Sequence, residues 1–153
     1  MKIENIMSRE IIVGNITDSL YDIAILMKKY NIGFIPIAKG RQIIGVITDR
    51  DIVINAISNK VKLDSCVADY MSLNIIAINK DDDILKALDI ISFKKVKRLI
   101  VIDNNKIVGI VSLADLIKDD DISCKEFLNC FKKLWEIYDS VNLDDLEIDE
   151  FYL

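Results

Sequence analysis

Apolar residues recur at helical spacing through Leu20, Ile23, Ala24 and Met27, and again through Ile84, Ala87, Leu88 and Ile91. That spacing gathers each set on one face of an α-helix and predicts helices over 19–29 and 83–93. Thr17-Asp18-Ser19 and Asp81-Asp82-Asp83 lie at their starts, where side-chain oxygens can accept from the free N–H groups of a first turn. Short apolar runs at 11–13 and 75–78 precede the helices and read as strands. Two runs follow each helix: 34–38 and 43–47 around Lys39-Gly40-Arg41, then 99–102 and 107–111 around Asp103-Asn104-Asn105. Gly and Asn tolerate the positive φ that tight turns demand, so each pair reads as a β-hairpin. Pro36 cannot donate a ladder hydrogen bond, which predicts an edge or entry position for it. A second helix closes each series, over 49–58 and from Leu113 onward. The order is β-α-β-β-α, twice.

The two series are one pattern repeated without a gap. Gly45-Val46-Ile47-Thr48-Asp49-Arg50-Asp51 returns as Gly109-Ile110-Val111-Ser112-Leu113-Ala114-Asp115, and 109 − 45, 112 − 48 and 115 − 51 all give 64. Met7-Ser8 returns as Met71-Ser72 and Ile11-Ile12 as Ile75-Ile76 at the same offset. Two copies of so long a period are not a solenoid, which needs several stacked units to bury a core. They point to two halves packed face to face.

Composition narrows the function classes. A hydrophobic content of 52% with one Pro and five Gly in 153 residues fits a compact globule long enough to bury a core. Its apolar runs are far too short to span a bilayer, and no signal peptide precedes the repeat, so a cytoplasmic protein without membrane insertion is expected. The net charge of −5, with its acidic excess beyond residue 118, disfavours nucleic acid as a partner. Cys66, Cys124 and Cys130 show no Cys-x-x-Cys spacing and fit reduced thiols rather than a disulfide framework or zinc site. There is no histidine, which removes the commonest general base and metal ligand and argues against an enzyme.

The element order, the repeat length and the doubled Gly-apolar-apolar-Thr/Ser-x-x-Asp phrase together resemble the cystathionine β-synthase (CBS) domain in its tandem form, the Bateman module. Flanking phrases support this: Ile6-Met7-Ser8 at the start, then Gly33-Phe34-Ile35-Pro36-Ile37 and Lys97-Arg98-Leu99-Ile100-Val101 before the hairpins. The resemblance covers about residues 1–118. It implies an α/β (α+β) fold with repeat 1 over 1–64 and repeat 2 over 65–118, packed about a pseudo-two-fold axis that leaves two clefts. It further implies disc-like homodimers and regulation by adenosine-containing ligands, with AMP, ADP, ATP, S-adenosylmethionine, NAD or a cyclic dinucleotide as candidates and no obligatory cofactor.

The motif has its own chemistry. Gly45 and Gly109 mark places where backbone approaches something closely. Thr48 and Ser112, at strand-to-helix junctions, can cap a helix or donate to a phosphate oxygen. Asp51 and Asp115 can accept the paired hydroxyls of a ribose. Ile11 and Ile12, or Ile75 and Ile76, with the hairpin residues Ile35, Pro36 and Leu99, would line an apolar purine cleft. Thr48-x-x-Asp51 and Ser112-x-x-Asp115 are equally well read as capping boxes, and the two roles are compatible. The repeats also differ. Arg50, suited to clamping phosphate, faces Ala114 in the alignment, whereas Lys94-Lys95-Val96-Lys97-Arg98 replaces the uncharged Tyr30-Asn31-Ile32-Gly33-Phe34. The cluster can be a solvated helix end. By resemblance, Arg98 and secondarily Lys97 would reach a ligand phosphate.

Residues 119–153 lie outside the resemblance. Ser123-Cys124-Lys125-Glu126 matches a capping box, and Phe127, Leu128, Phe131, Leu134, Trp135, Tyr138 and Val141 continue at helical spacing, predicting a C-terminal amphipathic helix over 124–139. Residues 142–153 alternate acidic and apolar side chains. The expectation is a stand-alone regulatory protein that binds an adenosine-containing ligand and signals to an effector protein in trans. The alternative is a ligand-free dimerisation or scaffold module acting through the C-terminal helix.

Overall fold

Ser19 and Asp83 are the caps that start the two principal helices of the chain. In the computed structural model, which describes residues 1–117, 129, 130, 132 and 133, α1 spans Leu20–Tyr30 and α3 spans Ile84–Lys94. The Ser19 hydroxyl accepts the Asp22 N–H at 3.0 Å, and the Asp22 carboxylate accepts the Ser19 N–H at 3.0 Å, so two orphan donors are satisfied reciprocally. Asp83 accepts the Leu85 N–H at 2.9 Å. Both helices stop where the chain turns left-handed, at Asn31 (φ 52°) and Lys95 (φ 54°).

Each repeat contributes one three-stranded sheet. In the first, β1 (Gly14–Asn15), β2 (Phe34–Lys39) and β3 (Gln42–Thr48) lie in that order; in the second, β4 (Ala77–Asn79), β5 (Arg98–Asp103) and β6 (Lys106–Ser112) do the same. The outer strand β1 or β4 runs parallel to the middle strand, which pairs antiparallel with its hairpin partner. Gly40 (φ 63°) turns the first hairpin, while Asn104 (φ 47°) and Asn105 (φ 61°) turn the second with both central residues at positive φ. Helix α2 (Asp49–Asp51) continues into wider turns over Ile52–Ile57, where the Ser58 N–H reaches back five residues to the Val53 carbonyl at 3.1 Å. Helix α4 (Leu113–Leu116) follows β6. The β-α-β-β-α order is therefore present twice, in an α/β fold.

Two local expectations are corrected. The apolar run 11–13 has no regular structure, because the ladder to β2 is made by Gly14 and Asn15 against Ile37 and Ala38. Of the edge or entry positions expected for Pro36, the edge is excluded, since β2 is the middle strand, while Pro36 does lie just before the β1 ladder begins at Ile37. It opposes Val46, whose N–H and C=O bond outward to Ser72 at 2.9 and 2.8 Å, so this register never calls on the missing proline N–H from β3. On its other side β1 pairs only from Ile37 onward.

The described chain divides into two compact units: Glu10–Ile76, and Met1–Arg9 together with the described residues from Ala77 onward. The units are shifted relative to the sequence period. Ile3 N–H bonds the Asp82 carbonyl at 2.9 Å and Ile84 N–H the Met1 carbonyl at 3.0 Å, so the N-terminal segment serves the second repeat. Sixty-four residues on, Val67 N–H bonds the Asp18 carbonyl and Leu20 N–H the Ser65 carbonyl, both at 2.9 Å, and the segment before β4 serves the first. Ser8 and Ser72 each exchange two backbone hydrogen bonds with the open edge of a hairpin, at Ile110 and Val46 respectively, which covers edges otherwise free to pair with other chains.

The core of the Glu10–Ile76 unit gathers Leu20, Ile23 and Met27 from α1 and Ile35, Ile37 and Ile47 from the hairpin, with Ile52, Ala56 and Val67. In the other unit Ile84, Ala87, Ile91, Leu99, Val101, Val111, Leu116 and Ile3 are buried at the equivalent positions. Full burial of each such aliphatic side chain contributes on the order of 1.5–3 kcal/mol, and this fixes the hairpins that carry the motif. The C-terminal helix over 124–139 and the tail over 142–153 lie outside the described residues, except that residues 129, 130, 132 and 133 are helical.

Candidate functional site

Strand β3 ends in Thr48, and the chain enters α2 without a connecting loop. The Thr48 hydroxyl accepts the Asp51 N–H at 3.1 Å, while Asp51 Oδ2 accepts both the Thr48 N–H at 2.9 Å and the Thr48 hydroxyl at 2.7 Å. Ser112 and Asp115 repeat this at the start of α4, with distances of 3.3, 2.9 and 2.5 Å. Both motifs are thus capping boxes with Asp in the third position, as the spacing allowed. In the first, both bonds to the carboxylate fall on Oδ2, and Asp51 Oδ1 has no hydrogen bond among the described residues. Asp51 is half-buried, its carboxylate held in place by one oxygen with the second available as an acceptor.

The surroundings of the two caps differ in charge. Beside Thr48, the register places Phe34 directly opposite, then Ile35 opposite Ile47 and Pro36 opposite Val46. Arg50 is exposed on the first turn, and its guanidinium makes no ion pair among the described residues. Asp49, adjacent to it, accepts the Arg50 N–H at 2.8 Å and adds a second carboxylate to this turn. In the other unit Arg98, half-buried, lies directly opposite Ser112, and the Lys97 carbonyl accepts the Leu113 N–H at 3.0 Å. Leu113 and Ala114 replace Asp49 and Arg50, so the cation here comes from β5 rather than from the helix.

The remaining candidate residues separate into groups. Ile35 and Leu99 are fully buried at 0% exposure among core side chains, leaving only their backbone to face a ligand. Pro36 is also buried in the middle of its sheet. Ile11 and Ile12 are half-buried in the Glu10–Ile76 unit that carries Thr48, Arg50 and Asp51. Ile75 and Ile76, also half-buried, end that same unit, whereas Lys97, Arg98, Leu99, Ser112 and Asp115 belong to the other. Phe34 and Asp49 were not singled out by the sequence, although the 64-residue alignment of Phe34 with Arg98 was the signal that could have found the first.

The glycines of the motif have a packing role. A Cβ on Gly45 would stand 2.8 Å from both Met71 Sδ and the Ser72 carbonyl oxygen; on Gly109 it would stand 2.6 Å from Met7 Sδ and 2.8 Å from the Ser8 carbonyl oxygen. What the strand approaches is therefore the Met-Ser segment of its own unit. Among the described residues no cluster of His, Cys, Asp or Glu could hold a metal ion, and no helix is long and apolar enough to cross a membrane.

Known proteins share this fold. YlbB, an uncharacterized protein of Bacillus subtilis, is 30% identical over 117 residues, covering 75% of this chain and 79% of its own. The crystal structure of TA0289, a CBS domain protein of unknown function from Thermoplasma acidophilum, superposes with a TM-score of 0.77 at 21% identity, over 87% of this chain and 75% of that one. The CBS domain pair of protein MJ0100, crystallised in complex with 5′-methylthioadenosine and S-adenosyl-L-methionine, does so with a TM-score of 0.70 at 23% identity, over 77% and 94%. The family model for the CBS domain matches residues 3–57 and again 67–120, and the chain belongs to the CBS domain family as a tandem pair.

Proposed function

We propose that this CBS pair is a regulatory, non-catalytic protein that binds an adenosine-containing small molecule and transmits its occupancy to an effector protein in trans. The observation that carries this reading is Asp51: one oxygen is fixed by the Thr48 cap, and the other is an open acceptor on a half-buried carboxylate. A fixed carboxylate oxygen suits a ribose hydroxyl, since it need not be ordered on binding. Arg50, on the same turn, supplies a guanidinium for a 5′-phosphate, and Arg98 opposite Ser112 supplies one in the second repeat. Ile11 and Ile12, half-buried in the unit that carries Thr48, Arg50 and Asp51, would supply apolar contacts to the purine in the first repeat. The adenosyl ligands bound by the MJ0100 pair support the same chemistry at the level of the fold.

Candidate ligands are AMP, ADP, ATP, S-adenosylmethionine and NAD. Titration calorimetry of each against the native chain and Asp51→Ala tests the assignment: binding should fall by tenfold or more in the variant, as expected for loss of a charged acceptor (about 1.5–3 kcal/mol). Unchanged affinity would move the site elsewhere. The scaffold alternative is expected to act through the C-terminal helix, most of which lies outside the described residues; a dimerisation reading draws separate support from Tyr21, Ile25, Val53, Ile54, Ile57 and Leu63 of the Glu10–Ile76 unit, each 43% or more exposed. Exposed side chains of this kind could be covered by a second copy of the chain, and homodimerisation is compatible with ligand binding.

A further inference from the structure

The C-terminal end of α3 carries an open groove lined by Asp89, Ser92, Phe93, Lys95 and Lys133. Phe93 is 81% exposed at its rim, with the Lys94 ammonium 5.4 Å from its ring centre. Lys94, Lys95, Lys132 and Lys133 are all exposed, and none makes an ion pair among the described residues. Asp89 is the opposing charge in the groove. An exposed phenylalanine with the Lys94 ammonium over its ring and Lys95 and Lys133 in the same groove matches a ligand that is both acidic and apolar.

The chain itself supplies such a segment. After Lys133 it contains no Lys or Arg, and between Asp139 and Glu150 it places Asp139, Asp144, Asp145, Glu147, Asp149 and Glu150 among Leu143, Leu146 and Ile148. The described C-terminal residues already meet α3: Cys130 is 5% exposed, its thiol donating to the Leu88 carbonyl at 3.6 Å, and Lys133 forms one wall of the groove. The chain thus leaves the described region at the groove. The eleven residues from Lys133 to Asp144 (144 − 133) could extend over about 36 Å, and Lys133 and Phe93 line the same groove.

We propose that this groove is the docking site of the chain's own acidic C-terminal segment, residues 139–153, with its carboxylates on Lys94, Lys95, Lys132 and Lys133 and an apolar side chain on Phe93. The binding is electrostatic and exposed, so it is screened as the Debye length falls from about 10 Å at 0.1 M salt to about 3 Å at 1 M. Because every charge involved lies outside the capping boxes, docking and adenosyl-ligand binding can fail independently.

Zero-length carbodiimide cross-linking of the full chain, with cross-linked peptides identified by mass spectrometry, tests the proposal. A mixture of normal and ¹⁵N-labelled chains separates intrachain from interchain links. The expected result is intrachain links from Asp144–Glu150 carboxylates to Lys94, Lys95 or Lys133, reduced about tenfold at 1 M salt and in the Lys94→Glu/Lys132→Glu pair, where Lys95 and Lys133 remain as reporters. Reversing Asp144, Asp145 and Glu147 to Lys in that variant should restore links through the remaining tail carboxylates. Absence of links to these lysines overturns the proposal, and so do links of mixed isotope alone, which would make a second copy the occupant.

Discussion

Substituting Gly109 by Ala tests whether the motif glycine serves packing. The added methyl would lie 2.6 Å from Met7 Sδ, 3.0 Å from Met7 Cγ and 2.8 Å from the Ser8 carbonyl oxygen. The thioether can swing aside, but the carbonyl cannot. It accepts the Ile110 N–H at 3.0 Å while Ser8 N–H donates to the Ile110 carbonyl at 2.9 Å. If the segment withdraws, two backbone hydrogen bonds worth about 0.5–1.5 kcal/mol each are lost, together about 1–3 kcal/mol. If it stays, overpacking costs a similar ~1–3 kcal/mol. Gly109 does not have positive φ, so alanine recovers about 0.4–1 kcal/mol from the unfolded chain. The net loss is about 1–2 kcal/mol, or roughly 2–8 °C in Tm for a chain of this size. Urea unfolding and thermal melts measure it. Gly40→Asn is the control, because nothing lies within 4 Å of that site and the matching position of the second repeat is already Asn104. A Gly109→Ala chain as stable as the native one would refute the packing role.

Three further expectations follow from the caps and charges. Thr48→Ala should destabilise by about 0.5–2 kcal/mol in urea unfolding while Thr48→Ser stays near native, since only the hydroxyl is needed for the cap; equal losses in both would show that the methyl matters more. Hydrogen bonds from the Ser19 hydroxyl and N–H hold the Asp22 carboxyl below its ordinary 3.8, as the Lys2 hydrogen bond does for Asp81 and the Leu85 N–H for Asp83. Carboxyls depressed in the folded state stabilise it above their unfolded pKa and lose that contribution as pH falls through the folded value, so Tm should fall below about pH 4, less steeply in Asp22→Asn. A Tm that falls equally steeply in that variant would contradict the assignment. Burial, then the Asp89 carboxylate, pushes the Cys130 thiol up from 9.0, so iodoacetamide at pH 8 should modify half-buried Cys66 before Cys130, with the reverse order refuting the placement.

Much of this was legible because each local signal had a local cause. Helix starts at Ser19 and Asp83, both hairpin turns and both capping boxes are short-range chemistry, and the 64-residue repeat let each half check the other. What was not legible was long-range. A pattern repeated twice is unchanged by a shift of one period, so nothing in Met7-Ser8 or Met71-Ser72 says which sheet each segment covers. Similarly, Pro36 reads as an edge or entry residue, and only the register, which places it opposite Val46 with that residue's polar groups turned outward to Ser72, shows how a middle strand holds it. Ile35 and Leu99 were expected at the ligand, yet the alternation they share with Ile37 and Val101 already assigned them to the core. Arg98 was singled out by the resemblance, and the register adds that it stands opposite Ser112.

Ligand binding is the central claim, and a thermal melt of the full chain across AMP, ADP, ATP, S-adenosylmethionine and NAD tests it most directly. A ligand present at about 100 times its Kd should add about 2.7 kcal/mol, raising Tm by roughly 5–11 °C. That shift should shrink in Asp51→Ala, which removes the open acceptor beside the Thr48 cap. No movement of the transition with any adenine-containing ligand at millimolar concentration would contradict the account and leave the scaffold reading in its place.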